Sequence, residues 1–194
     1  MISRLPLLVL AASLLWQGFA FAGTEEGEKR LKSAVDDVIS IADRASSTSA
    51  LADDLRPVLV RAISFEAMTR RAVGPGWRQF SGEQQKKATG LFTTLIIRSY
   101  SSKFTIGEHP VVKYKTASEP APGRVEVPTT LLYKGSDYDV TYRLEASEGW
   151  RITDVLVEGV SLIANYRSQF DAQFKKGGAE AVLNSLAQTV ASSK

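Results

Sequence analysis

Cysteine is absent from the 194 residues, and histidine occurs once, as His109. Without thiols the chain has no disulfide, no thiolate nucleophile and no cysteine-borne lipid anchor, so its stability has to come from packing. One histidine and no cysteine leave too few soft ligands for a structural or catalytic zinc site, and no resident metal or cofactor is expected. His109 stands directly before Pro110, which pushes it toward extended geometry, and no serine or carboxylate pattern around it marks a nucleophile's partner. Neither sign of charge dominates: 24 Lys and Arg face 21 Asp and Glu, a net of +3, too balanced to argue for nucleic acid. There is no G-x-G-x-x-G and no Gly-Lys-Ser/Thr phosphate loop, and "VGPGW" lacks both the preceding strand and the lysine. The acidic pairs Asp36-Asp37 and Asp53-Asp54 are adjacent on helical stretches, so their side chains diverge. Carboxylate-only catalysis by Asp139, Asp154 or Glu158 stays open as an alternative, because an apolar pocket can tune a carboxylate for acid–base work.

A long hydrophobic span is also missing. The apolar run from Leu5 to Trp16 is about a dozen residues, where a membrane crossing needs roughly 20. With Arg4 before it and Ala20 and Ala22 bracketing Phe21, it has the layout of a secretory signal peptide cleaved after Ala22. A single domain, residues 23–194, is the expected mature unit, and an oxidising periplasm suits a cysteine-free chain.

What is present is periodicity of two kinds. Leu31, Val35, Val38, Ile39 and Ala42 recur at helical spacing between Glu25 and Asp43. A second helix near Leu51 holds Leu55, Val58, Leu59 and Ile63, and Pro57 fits a first turn only if that helix starts later than its apolar spacing shows. "FEAMTRRAVGPGWRQF" has helical ends broken at Gly74-Pro75-Gly76. Ser81 opens the clearest helix: Ser81 and Gln84 make a capping box, and Ala88, Leu91, Phe92, Leu95, Ile96, Ser99, Tyr100 and Phe104 form one stripe. After Gly107 the period becomes two. "PVVKYKTA", "GRVEVPTTLLYKG", "SDYDVTYRLEA" and "GWRITDVLVEG" read as four strands joined by the turn clusters "SEPAPG", "GSD" and "SEG". In the third, Tyr138, Val140, Tyr142 and Leu144 share one face. Pro128 points to an edge or a bulge in the second. Helices over Ser161–Phe174 and Gly178–Val190 close the chain.

The fold class is therefore α+β: a four-stranded antiparallel sheet packed against several helices, notably Ser81–Phe104 and Ser161–Phe174, an arrangement that either fills its core or leaves an apolar cavity between sheet and helices, two outcomes that sequence alone does not separate. The candidate lining is Trp77, Phe92, Leu95, Ile96, Tyr100, Leu131, Tyr142, Leu144, Ile152, Leu156, Val160, Ile163, Tyr166 and Phe170. Arg70, Arg78 and Arg167 are candidates for a phosphate or for internal pairing, with Glu158 or Asp154 as the expected partner of Arg167.

One segment adds a resemblance. "WRITDVLVEGVSLIANYRSQF", with Trp150, Asp154-Val155, Glu158-Gly159-Val160-Ser161, Asn165-Tyr166-Arg167 and Phe170, followed by Gly177, Gly178, Leu183 and Leu186, resembles the hallmark segment of the MlaC family, the toluene-tolerance family of periplasmic lipid-binding proteins. An earlier block is similar too: Phe65, Met68, Arg70, Gly74, Trp77-Arg78, Gln84-Gln85, Phe92, Leu95 and Tyr100. The resemblance implies a non-enzymatic, monomeric periplasmic carrier. It would enclose phospholipid acyl chains and work with an inner-membrane Mla-type ABC transporter and an outer-membrane lipoprotein complex, without nucleic acid. Two departures stand out, Gly74-Pro75-Gly76 before Trp77 and Ala88 where the family often has phenylalanine. A reshaped pocket keeps another lipid, such as a hopanoid, as the alternative ligand.

Overall fold

The computed structural model describes residues 10–192 apart from 104, 106, 107, 109 and 148, with side chains described from residue 23 onward except 48 and 49. His109, Phe104 and Gly107 thus lie outside the described residues, as do residues 1–9. Helix α1 (Leu10–Ala42) runs further toward the amino terminus than its apolar spacing from Glu25 implies. It is followed by α2 (Thr48–Ala62), α3 (Phe65–Val73), a 3₁₀ turn (Gly74–Gln79) and α4 (Gly82–Ser101). Because α2 starts at Thr48 and not later, Pro57 lies inside it and not in its first turn. Among the described residues no helix is long and apolar enough to cross a membrane.

The capping box forms as read. Gln84 N donates to Ser81 Oγ at 3.2 Å, and Ser81 N donates to Gln84 Oε1 at 2.9 Å. Two otherwise orphaned amides are thereby satisfied at the start of α4.

The sheet has two more strands than expected. It comprises β1 (Val111–Tyr114), β2 (Ser118–Ala121), β3 (Arg124–Tyr133), β4 (Ser136–Glu145), β5 (Arg151–Val157) and β6 (Val160–Ser161). The order is β1-β3-β4-β5-β6, with β2 pairing β3 alongside β1, and every pairing is antiparallel. Both additions are short edges: β2 comes from the "SEPAPG" cluster, whose turn is confined to Pro122-Gly123. Two hairpins, at Lys134-Gly135 and Glu158-Gly159, have both central residues at positive φ, between 51° and 75°. That mirror-image turn matches the twist of the strands it joins, which explains the abrupt change at Glu158-Gly159. Pro128 is in the long central strand, not at an edge. Its carbonyl accepts from Lys115 N at 2.9 Å, so its nitrogen points toward the junction where β1 gives way to β2 and no ladder donor is needed.

Helix α1 lies against the sheet because Gly27 lets it come close. A Cβ there would lie 3.3 Å from Val125 and 3.5 Å from the Trp150 ring. Helices α3 and α5 (Leu162–Ser192) also meet the sheet at β5, while α4 packs on α2, α3 and α5. Within α5, Gly177 and Gly178 leave helical geometry, so the two expected closing helices exist as halves of one kinked element. One main core joins these parts, from Leu31 of α1 through Phe92 of α4 and Val127 of β3 to Leu186 of α5.

Candidate functional site

Register fixes the inner face of the sheet. Val125, Val127, Thr129 and Leu131 of β3 stand opposite Leu144, Tyr142, Val140 and Tyr138 of β4. Val155 and Val157 of β5 continue the row beyond Tyr142 and Val140, and Val112 and Tyr114 of β1 flank Leu131 and Thr129. The two ends of this face differ in burial. Val125 and Leu144 are 1% exposed and Val140 is 5%, whereas Tyr138 is 38% and Val157 37% exposed. One end is sealed under helices, and the other presents apolar side chains to water.

The packed helices α4 and α5 carry an aromatic wall of their own. Phe92 of α4 meets Tyr166 and Phe170 of α5 edge-on, with centroids 5.0 and 5.8 Å apart. Leu95, Ile96 and Ile163 are buried beside them, and Tyr100 is partly exposed at the open end. Burial raises the pKa of both Tyr100 and Tyr166, and the Tyr166 shift also registers Tyr100, so these phenols lie near one another. Tyr133, at the end of β3, accepts from Thr105 N at 2.7 Å, tethering the chain beyond α4 to the sheet. Behind this wall Trp77 stacks on Phe80 at 5.5 Å, and Gly76 gives room to the Phe174 ring, which a Cβ would meet at 2.9 Å.

The structure gathers Phe92, Leu95, Ile96, Tyr100, Ile163, Tyr166 and Phe170 on the helical wall and Leu131, Tyr142 and Leu144 on the sheet. Ile152 is buried past a register shift, and Trp77 sits in the second aromatic layer. Leu156 pairs with Thr141, so it points to the other side from Val155 and Val157, and Val160 is exposed on the last hairpin. The sequence reading omitted Val112, Tyr114, Tyr138, Val140, Val155 and Val157 from the site. The alternation in β4 was the signal for Tyr138 and Val140, while the others needed strand register.

The polar residues are committed elsewhere. Asp154, nearly buried, accepts from Ser161 Oγ at 2.6 Å and from Ile163 N at 3.2 Å, and Ser161 Oγ accepts from Ala164 N at 3.0 Å. Together they cap α5. Arg167 does not pair with Glu158 or Asp154: its Nη1 donates to the Arg71 carbonyl at 3.0 Å, at the end of α3. Its guanidinium lies on Gly74, where a Cβ would sit 2.5 Å from Nε. Glu158 Oε1 accepts from Asp139 N at 2.7 Å, and Asp139 pairs with Lys115 at 2.7 Å. Arg70 and Arg78 are exposed. A cavity of about 460 Å³ takes Leu144 and Ile163 from the candidate lining together with Val125 and Ala121, and its charged rim is internally matched, Arg71 and Arg124 meeting Glu145 and Arg143 meeting Glu126.

Residues 32–188 match the family model described as MlaC protein. The chain belongs to the MlaC family. A similar fold is found in the phospholipid-binding protein from Ralstonia solanacearum, solved in complex with a phospholipid: TM-score 0.80, 26% identity, over 87% of this chain and 98% of that one. No curated protein matches the sequence. In this MlaC-family chain the segment Trp150–Phe170 is thus a strand, a two-residue hairpin and a doubly capped helix whose inner side chains supply part of the aromatic wall.

Proposed function

We propose that this protein is a periplasmic lipid carrier. In this reading Met1–Ala22 is a cleaved signal peptide and residues 23–194 form one monomeric lipid-binding domain. Acyl chains lie between the inner sheet face and the wall made by α4 and α5. The observation that carries the proposal is the fold shared with a chain solved around a phospholipid. The difference in burial between the two ends of the inner face agrees with it, since a half-exposed apolar row is suited to continuing a lipid's apolar contacts.

Removing a methylene from water is worth about 0.8 kcal/mol, so each acyl chain gains on the order of 10 kcal/mol. Spontaneous release is slow on that scale. Handover then requires a partner that favours the open state, which fits an inner-membrane Mla-type ABC transporter at one membrane and an outer-membrane lipoprotein complex at the other. No step requires catalysis, and Asp139, Asp154 and Glu158 each serve a structural contact. Mass spectrometry of lipids extracted from protein purified without detergent tests the reading. Phospholipid at near one per chain is expected. Protein that folds normally and yields no lipid refutes it, and a polycyclic lipid in place of phospholipid would establish the hopanoid alternative.

A further inference from the structure

Among the described residues, two hydroxyls on the less exposed part of the inner face are left unused by the protein itself. Tyr114 stands opposite Thr129 on β3, and Tyr142 stands opposite Val127, the next inward-facing position. The Tyr114 hydroxyl is buried without a hydrogen-bond partner among the described residues, and the Tyr142 hydroxyl bonds to none of them. Burial pushes both phenols up to about 12, and the Tyr114 shift includes a contribution from Tyr142, which puts the two phenols in one neighbourhood. If they bonded to each other, one proton would still lack an acceptor. An unmatched buried donor is costly, and a ligand oxygen is one way to satisfy it.

The charges about Tyr114 are mixed: Asp36 and Glu28 of α1 push its pKa up, while the Lys32 ammonium lies 5.0 Å over its ring and pairs with Glu28, so these surroundings select no net charge on the acceptor. Around the hydroxyls the same face offers Val127, Val140 and Val155, and Leu131, Tyr138 and Val157 lie toward the open end. We propose that Tyr114 and Tyr142 form an ester-reading subsite, donating hydrogen bonds to the carbonyl oxygens that join acyl chains to glycerol. The inference rests on the lipid-carrier reading and narrows its ligand to acyl esters.

The test compares two lipids that differ only at that atom. Delipidated protein is incubated with vesicles of dioleoyl phosphatidylglycerol or of its di-O-alkyl ether analogue, and bound lipid is quantified. Two hydrogen bonds of ordinary strength predict a preference for the diester of about tenfold or more. In Y114F/Y142F the diester-to-diether ratio is expected to fall toward one. A variant that loses both lipids in proportion, or a wild type that takes both equally, overturns the ester subsite while leaving the carrier standing. A wild type that takes up neither lipid overturns the carrier reading and the subsite with it.

A separate observation carries a second inference. Glu119 of β2 accepts from Gly123 N through Oε1 at 2.9 Å, but its Oε2 is buried with no partner among the described residues. That oxygen faces Gly23 of α1, where a Cβ would lie 3.1 Å away. Gly23 is the residue that cleavage after Ala22 leaves at the amino terminus. We infer that processing supplies the missing partner: the new α-ammonium group pairs with Glu119 and fastens α1 to the β2–β3 hairpin. This rests on the export reading. The test measures the effect of E119Q on Tm in protein beginning at Gly23 and in protein extended by two alanines before Gly23. The expected loss is several degrees in the first and close to none in the second. Equal effects in both overturn the pairing. Amino-terminal sequencing of the exported protein separates the cases, because a start other than Gly23 overturns the cleavage reading itself.

Discussion

Replacing Asp154 by alanine is the sharpest test of how Trp150–Phe170 works. The carboxylate is 7% exposed and accepts from Ser161 Oγ at 2.6 Å and from Ile163 N at 3.2 Å. Losing a helix cap costs about 1 kcal/mol, and losing charge-assisted hydrogen bonds in a buried setting adds about 1.5–3 kcal/mol. Arg143, also within reach of Asp154 at 3.4 Å, keeps Glu126 at 2.7 Å, so no further charge is stranded. The sum is about 3 kcal/mol, or roughly 6–12 °C in Tm for a domain of this size. S161A removes only the hydroxyl's share and is expected to cost about 1 kcal/mol. Thermal unfolding followed by circular dichroism measures both. A D154A protein melting within 2 °C of wild type refutes the capping role. Lipid that disappears from D154A well below its melting temperature would instead return this carboxylate to the ligand site.

Other perturbations address the remaining parts. G74A forces a Cβ at φ +73° into the Arg167 guanidinium and is expected to cost about 2 kcal/mol in urea unfolding; adding R167A relieves the clash but not the strain, so the double variant recovers only part of that loss. Y138D and V157D place a carboxylate at the exposed end of the inner face. Co-purified lipid is expected to drop tenfold or more while Tm moves by less than about 2 °C, because neither side chain is deeply buried. Spectrophotometric titration should find two of the six tyrosines ionising near 12. A raised phenol pKa stabilises the fold fully below the ordinary value of about 10, and that contribution is lost as pH rises from there toward about 12. Y114F/Y142F should flatten this part of the stability profile.

Local signals were legible in the sequence and distant ones were not. Ser81 and Gln84 announce their box because both partners lie within one helical turn, and Tyr138 to Leu144 announce their face because a strand alternates by construction. The short strand Ser118–Ala121 was hidden under residues that favour turns, and it exists because β3 offers it an edge. Arg167 was expected to seek a carboxylate nearby in sequence. It found the Arg71 carbonyl because α3 and α5 pack together, which no window of sequence records. The family segment was recognisable as a pattern, yet the purpose of its aspartate, holding the first turn of α5, became clear only from hydrogen bonds.

The unequal burial of the two ends of the inner face also constrains energetics. If lipid enters and leaves past Tyr138 and Val157, loading and delivery are the same path travelled in opposite senses, and microscopic reversibility denies the protein any preferred direction of its own. A passive vessel of this shape equilibrates its cargo between whatever it touches. For the proposed carrier, net transport would then be imposed by unequal affinities of the proposed partners, or by a chemical potential spent at one of them.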